Sequence, residues 1–260
     1  MNTGFNARRK LIRLFPVGIA LLAAGCAAVP GQSGADALLQ QGQQLYNAKQ
    51  FDEAIAKFRQ AVALEPSNGG TWLWLARCHI AKGGWGDAIA AARRALELSP
   101  QGAEVMQIFL QALFGGGAQA LGGGNFVDSI KYFSEYLKYN GSNAGAWVNV
   151  GKAYLGNKQF ADALQALVRA LGITGADRAD VAGTLLAGGL QAAKERDFSG
   201  AIALLREYIK QDPRNLQAYL ALAKSYWESG QKGGALEAVR DALKVSPANG
   251  EALQLLRQLL

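Results

Sequence analysis

The feature that most limits how this chain can fold is its period. Pro66 and Pro100 are 34 apart, as are Pro213 and Pro247, and Pro100 and Pro213 are 113 apart. The longer interval is three such periods and a surplus of eleven. The fullest unit runs from Trp147 to Ala170, where Trp147, Val150, Gly151 and Tyr154 fall at offsets of 0, 3, 4 and 7. This spacing puts them on one helix face, because three to four residues make a turn. Ala163 and Ala170, small residues at offsets 16 and 23, mark a second helix lying close against the first. Phe160 supplies bulk at the turn between them.

Six units can be aligned on this pattern. The first, 35–68, has Gly42, Leu45, Phe51, Ala54, Phe58, Ala61 and Pro66 at the marked places. The second, 69–102, has Trp72, Leu75, Ala76, Ala88, Ala95 and Pro100, with His79 where Tyr154 stands in the fullest unit. The third, 103–143, is marked by Phe126, Phe133 and Tyr136 and begins seven residues early. The fourth is 144–177. The fifth, 178–215, carries Gly189, Phe198, Ala201, Tyr208 and Pro213 with four residues added in front. The sixth, 216–249, has Tyr219, Leu222, Ala223, Tyr226, Ala235, Ala242 and Pro247. Residues 250–260 form a terminal helix that covers the last apolar face, as stacked repeats require.

A helix–turn–helix unit of about 34 residues with these marks resembles the tetratricopeptide repeat. The resemblance covers residues 35–260 and implies an all-α, right-handed solenoid of about six units with a C-terminal capping helix. Insertions of seven and four residues are close to two turns and one turn, so they lengthen the first helices of units three and five without rotating their apolar faces. The array is expected to continue through them, with those helices protruding at one edge. Gly115–117 and Gly122–124 fall in the lengthened helix of unit three, where each Gly costs up to ~1 kcal/mol relative to Ala. A thin, close-packed or kinked segment is expected there, or a hinge.

Residues 1–25 stand apart from this pattern. Arg8, Arg9, Lys10 and Arg13 precede an apolar run, Leu11 to Ala24, that is short for a bilayer span. The run ends in Leu22-Ala23-Ala24-Gly25-Cys26, which resembles the lipobox of bacterial lipoprotein precursors, with Ala23 where that family usually has Leu. The resemblance implies cleavage before Cys26 and lipidation of its thiol. Ala27 and Ala28 then imply an outer-membrane address facing the periplasm. Either the general secretory or the twin-arginine route fits the basic segment. Residues 26–34 would be the lipidated Cys and a flexible tether of at most ~30 Å.

The charge of +7 falls to +3 once the four basic residues of the leader are removed. That balance is no nucleic-acid footprint, despite a pI of 9.4. Cys78 has no disulfide partner once Cys26 is lipidated and reads as a buried thiol. His79, the one histidine, sits at a packing position. No Cys/His cluster has metal spacing, no catalytic triad can be assembled, and no Lys-Ser/Thr follows the Gly triplets as a phosphate loop needs. The expectation is a protein that is not an enzyme and needs no cofactor.

Binding is what the pattern offers. By matching positions, the groove of first helices would be lined by Leu39, Gln43, Tyr46, Leu73, Trp74, Arg77, Ile80 and Phe114. Val148, Asn149, Lys152, Leu155, Leu186, Leu190, Lys194, Leu220, Lys224 and Trp227 continue the row. So many large apolar residues in register suit an apolar or amphipathic segment of a protein partner. Arg77, Lys152, Lys194 and Lys224 would accept acidic groups, and burial of some leucines as core is the competing reading. The Lys/Asn clamp of cytosolic chaperone-binding members is missing, with Leu39, Gln43 and Trp74 in its place. A lipid-tethered array instead resembles lipoproteins that assemble type IV or tight-adherence pili or secretins. Adaptors for peptidoglycan hydrolases or for outer-membrane protein assembly are the alternative, and a ligand-binding module or enzyme comes last.

Overall fold

The computed structural model describes residues 33–260, which form thirteen α-helices and no strand among those residues. The leader at 1–25, the lipidation at Cys26 and most of the tether lie outside the described residues. Helices alternate in direction as hairpins: α1 (Gly34–Asn47) with α2 (Phe51–Leu64), α3 (Gly69–Ala81) with α4 (Trp85–Leu98), and α5 (Ala103–Gly122) with α6 (Phe126–Tyr139). Then come α7 (Ala144–Gly156) with α8 (Phe160–Leu171), α9 (Arg178–Lys194) with α10 (Phe198–Gln211), and α11 (Leu216–Glu228) with α12 (Lys232–Val245). The last helix, α13 (Gly250–Leu259), packs on α12.

Each hairpin turn is set by one residue in the left-handed region: Lys49, Gly83, Gly124, Lys158, Arg196 and Gly230. Their spacing repeats the period of the prolines except at Gly124 and Arg196, which come seven and four positions late. The helix starts are fixed by side chains that satisfy the otherwise unpaired first-turn N–H groups. Asn68, Asn143, Asn215 and Asn249 accept from Thr71 N, Ala146 N, Ala218 N and Ala252 N, at 3.1, 2.9, 3.1 and 2.9 Å. The two indoles at equivalent places are anchored alike: Trp72 Nε1 donates to Pro66 O at 2.9 Å and Trp147 Nε1 to Gly141 O at 2.8 Å.

In four of the six hairpins the two helices meet where a glycine of the first faces a large side chain of the second, and Ala76 and Ala223 take that place in the other two. A Cβ at Gly42 would come within 2.5 Å of the Phe58 ring, and one at Gly117 within 2.9 Å of Phe133. Gly151 against Leu167 and Gly189 against Leu205 repeat the contact. The core so formed is continuous. One buried cluster spans Ala54 to Ala166 and another Val148 to Ala252, and Trp147 and Tyr154 pack against both.

The surplus residues are helical. α5 has 20 residues and α9 has 17, where α3, α7 and α11 have 13. Where the surplus of α5 lies corrects a simple picture of a protruding front end. Phe126, first residue of α6, lies where a Cβ on Gly156, the thirteenth residue of α7, would be 2.3 Å from its ring. Trp85, first residue of α4, covers Gly115, the thirteenth residue of α5, in the same way, at 2.2 Å. The first thirteen residues of α5 are therefore in register with the unit before it, and residues 116–122 carry the helix two turns further. Because α6 has only 14 residues, the chain returns to start α7 about two turns short of where α5 began. The solenoid takes a step here, and the front of α5 overhangs only the unit that follows.

The glycines belong to that step. α5 runs as one helix through Gly115–117, which are close-packed under Trp85, Ile89, Tyr132 and Phe133. Gly122–124 end it, with Gly124 at φ +74° supplying the turn. Across the step Arg93 of α4 grips Glu135 of α6 with two bonds, 2.6 and 2.9 Å, and lies 5.3 Å above the Phe109 ring. Glu135 is held below the usual carboxylate range by its hydrogen bond to Arg93.

Candidate functional site

The overhang produces a broad, open trough of about 730 Å³. Its wall is one side of α5, formed by two parallel ridges with a four-residue spacing. Met106, Leu110 and Phe114 make an apolar ridge, and Ala103, Gln107 and Gln111 a more exposed one. Trp85 and Gly115 close one end, and Tyr136 of α6 and Asn143, the cap of α7, lie at the other parts of the lining. In a regular array the next first helix would run alongside all of α5. Here α7 begins two turns late, and the apolar ridge is left half-buried.

The polar groups of the lining divide into occupied and free. Asn143 Nδ2 donates to Tyr136 Oη at 2.9 Å while its Oδ1 caps α7, and Asn140 Nδ2 also donates to that phenol at 3.0 Å. Gln107 and Gln111 have no hydrogen-bond partner among the described residues. Among the described residues no charged side chain lines the trough. Phe114 is held edge-on by Phe133 and Tyr136, with centroids 5.4 Å away in each case, so the end of the apolar ridge is fixed before anything binds.

The expected row of cations is assembled differently from its sequence reading. Arg77 of α3 pairs with Glu104 in the first turn of α5, Lys152 of α7 with Asp180 of α9 at 2.8 Å, and Lys224 of α11 with Glu251 of α13. Successive first helices lie side by side, so a cation near the end of one reaches the acid that opens the next. Three of the four cations expected to accept a partner's acidic groups are thus already matched within the chain. Lys194 is exposed and makes no ion pair among the described residues.

Several apolar positions are also corrected. Leu73, Leu155 and Leu220 are buried between helices, as is Val148, because neighbouring first helices close over them. Leu39, Tyr46, Trp74 and Ile80 are half-buried against the N-terminal core. Tyr46 meets Trp74 edge-on at 5.3 Å, Trp74 stacks with Phe58 at 6.0 Å, and the Arg77 guanidinium lies 4.6 Å over the Trp74 ring. Asn149, Leu186 and Leu190 are half-buried on α7 and α9. Trp227 sits on α11, with Lys232 Nζ 5.7 Å from its ring. Of the whole row, only Phe114 lines the trough.

Met106, Gln107, Leu110 and Trp85 escaped the sequence alignment because they precede or flank the matched positions. A signal was there: Val105, Met106, Ile108, Phe109, Leu110, Leu113 and Phe114 ring α5 with apolar side chains. A helix apolar all round needs cover on every side.

Elsewhere the chemistry is structural. His79 is buried with Nδ1 3.7 Å from Asp87 Oδ2, and burial lowers its pKa despite that neighbour. Burial pushes the Cys78 thiol up to about 12. Among the described residues no group of His, Cys, Asp and Glu could hold a metal ion, and no helix is long and apolar enough to cross a membrane.

Helical hairpins of one design, two of them lengthened in the first helix and all stacked in single file, define an all-α solenoid. Tetratricopeptide repeat models match residues 39–103, 117–179 and 192–260, and the chain belongs to that family. It is 29% identical over 267 aligned positions to the cytochrome c-type biogenesis protein CycH of Rhizobium meliloti strain 1021, covering 90% of this chain and 67% of that one. A protein of the same name from Pseudomonas aeruginosa PAO1 is 29% identical over 147 positions, covering 56% of this chain. This chain spans only 34% of that relative. A chain of the solved Naa15/Naa10 complex with HypK-THB shares the fold at 17% identity and a TM-score of 0.52, over 86% of this chain and 33% of that one.

Proposed function

We propose that this chain is a protein-interaction scaffold that holds an apolar segment of a partner in the α5 trough during the biogenesis of c-type cytochromes. The observation that carries the binding part is the half-buried ridge of Met106, Leu110 and Phe114, left open by the late start of α7. An uncovered apolar concavity of this size with few polar groups is the usual form of a binding site. The choice of process is supported by the names of the curated relatives. Export and anchoring through a lipid on Cys26, on the periplasmic side of the outer membrane, are part of the proposal and rest on the leader and lipobox residues. Assembly of pili or secretins ranks second, favoured by the resemblance to lipid-tethered repeat lipoproteins.

The test is a crosslinking pull-down from intact envelopes with the wild-type chain, Leu110→Asp and the rim variant Gln107→Lys, with helical content checked by circular dichroism. Apocytochromes or cytochrome c biogenesis components that are captured by wild type and lost from both variants are the expected result. Secretin and pilus subunits, or cell-wall hydrolases, would move the chain to another machine. Partners retained equally by folded variants would remove the trough from the account.

A further inference from the structure

A second hollow, independent of the trough, lies between the second helices α10 and α12 with α11 as its floor. It measures about 310 Å³. Arg206 and Lys210 of α10 stand on one wall, and Glu237 and Asp241 of α12 on the other. Positive and negative charge are thus separated across the opening, two groups against two. The floor is apolar, made of the Tyr219 and Tyr226 rings and Leu222.

Facing charges of this kind are joined elsewhere in the molecule. Arg93, ninth residue of α4, clasps Glu135, tenth residue of α6. Arg206 and Asp241 hold the same ninth and tenth places in α10 and α12. The first pair meets across the step made by the 20-residue α5. The intervening α11 has 13 residues and makes no step, and the second pair stays open. Asp241 turns to Lys244 at 2.7 Å, and Lys210 turns to Glu207 at 2.5 Å. Arg206 and Glu237 are left with no hydrogen bond or ion pair among the described residues, and so are the hydroxyls of Tyr219 and Tyr226. Burial, and then the Asp241 carboxylate, pushes the Tyr219 phenol up, which keeps it a neutral donor.

The arrangement selects by charge. A lone anion would meet Arg206 but also the two acids opposite, and a lone cation would meet the reverse. A small molecule carrying both charges gains from both walls. A hollow of this size is at the lower end of the range for small-molecule sites and has room for one amino acid.

We propose that the hollow binds a free α-amino acid with an apolar or aromatic side chain. Its carboxylate lies on Arg206 and the Tyr219 hydroxyl, its ammonium on Glu237, and its side chain on Leu222 and the tyrosine rings.

Calorimetry on the full-length protein, solubilised from envelopes in mild detergent, tests this with L-phenylalanine and two analogues that each lack one charge. These are phenylpropionate, without the ammonium, and phenylethylamine, without the carboxylate. Phenylalanine should bind with a Kd in the millimolar range or tighter. Each analogue should bind at least about tenfold more weakly, as the loss of one charge-assisted hydrogen bond predicts. Arg206→Gln should bring phenylalanine down to the affinity of phenylethylamine, and Glu237→Gln should bring it down to that of phenylpropionate. Both side chains are exposed, so both variants should keep the wild-type circular dichroism. No saturable binding of phenylalanine, analogues that bind as well as the amino acid, or a change under about twofold in both folded variants would overturn the proposal.

Discussion

Two contacts of the same kind, Phe126 on Gly156 and Trp85 on Gly115, show what an insertion does to a stacked array. In the α6–α7 pair the covered glycine ends its helix. In the α4–α5 pair it lies seven residues before the end, and the helix goes on. Both junctions are close-packed, and both keep the apolar face turned inward, because seven residues are almost two whole turns. The difference lies downstream. A helix lengthened by whole turns displaces every later unit along the helix axis and uncovers its own front, so a local insertion becomes a site two helices away.

The most severe way to break this comparison is to hollow out one hairpin on each side of it. Phe58 and Phe133 are both fully buried against a glycine. Phe58→Ala and Phe133→Ala should each cost about 3–5 kcal/mol, read from urea unfolding. A clearly smaller loss for Phe133 would mean that the step is loosely packed. Next in size, Gly156→Leu and Gly115→Leu should each destabilise by about 1–3 kcal/mol through overpacking against the covering ring. Tolerance of leucine at Gly115 alone would show that Trp85 is free to leave, and that the two junctions are not equivalent.

Charge sharpens the comparison with smaller effects. The Arg93–Glu135 clasp spans the step, and its partly exposed partners limit Glu135→Gln to about 1 kcal/mol. Since Arg93 depresses the Glu135 pKa, the contribution is present above the ordinary carboxylate value of 4.5 and lost as pH falls through the folded value. A stability difference between wild type and variant that persists at low pH would contradict this. His79, in the regular N-terminal part, behaves with the other chemistry. Burial holds its pKa under 6.5, so the unfolded chain takes up a proton first and stability declines as pH drops below that value. His79→Gln should flatten that segment of the pH curve, and an unchanged curve would place the effect on other groups.

Most of the fold could be read from the sequence because the repeat states its packing explicitly. Gly42, Gly151 and Gly189 sit at one fixed spacing before the large side chains they face, and the surplus of seven and four residues appears as helix in α5 and α9. The site was much less legible. Aligning units position by position names residues that are equivalent inside a hairpin, and it says nothing about which part of α5 the next hairpin fails to reach. Leu73, Leu155 and Leu220 looked like groove residues because their helix faces point that way, and adjacent helices bury them. Arg77, Lys152 and Lys224 looked free because their acids, Glu104, Asp180 and Glu251, lie in the next unit of the chain. Only Phe114 belongs to both the expected row and the trough.

Site-specific photo-crosslinking in intact envelopes separates binding at the step from binding along the regular array. A crosslinker at Gln107 or Gln111 sits on the rim of the step, and one at Gln40 sits on a first helix in the regular part of the array. Partner adducts are expected from Gln107 and Gln111 and none from Gln40. Adducts from Gln40 with none from the two rim positions would show that partners bind the regular array and that the step is only an accident of helix length.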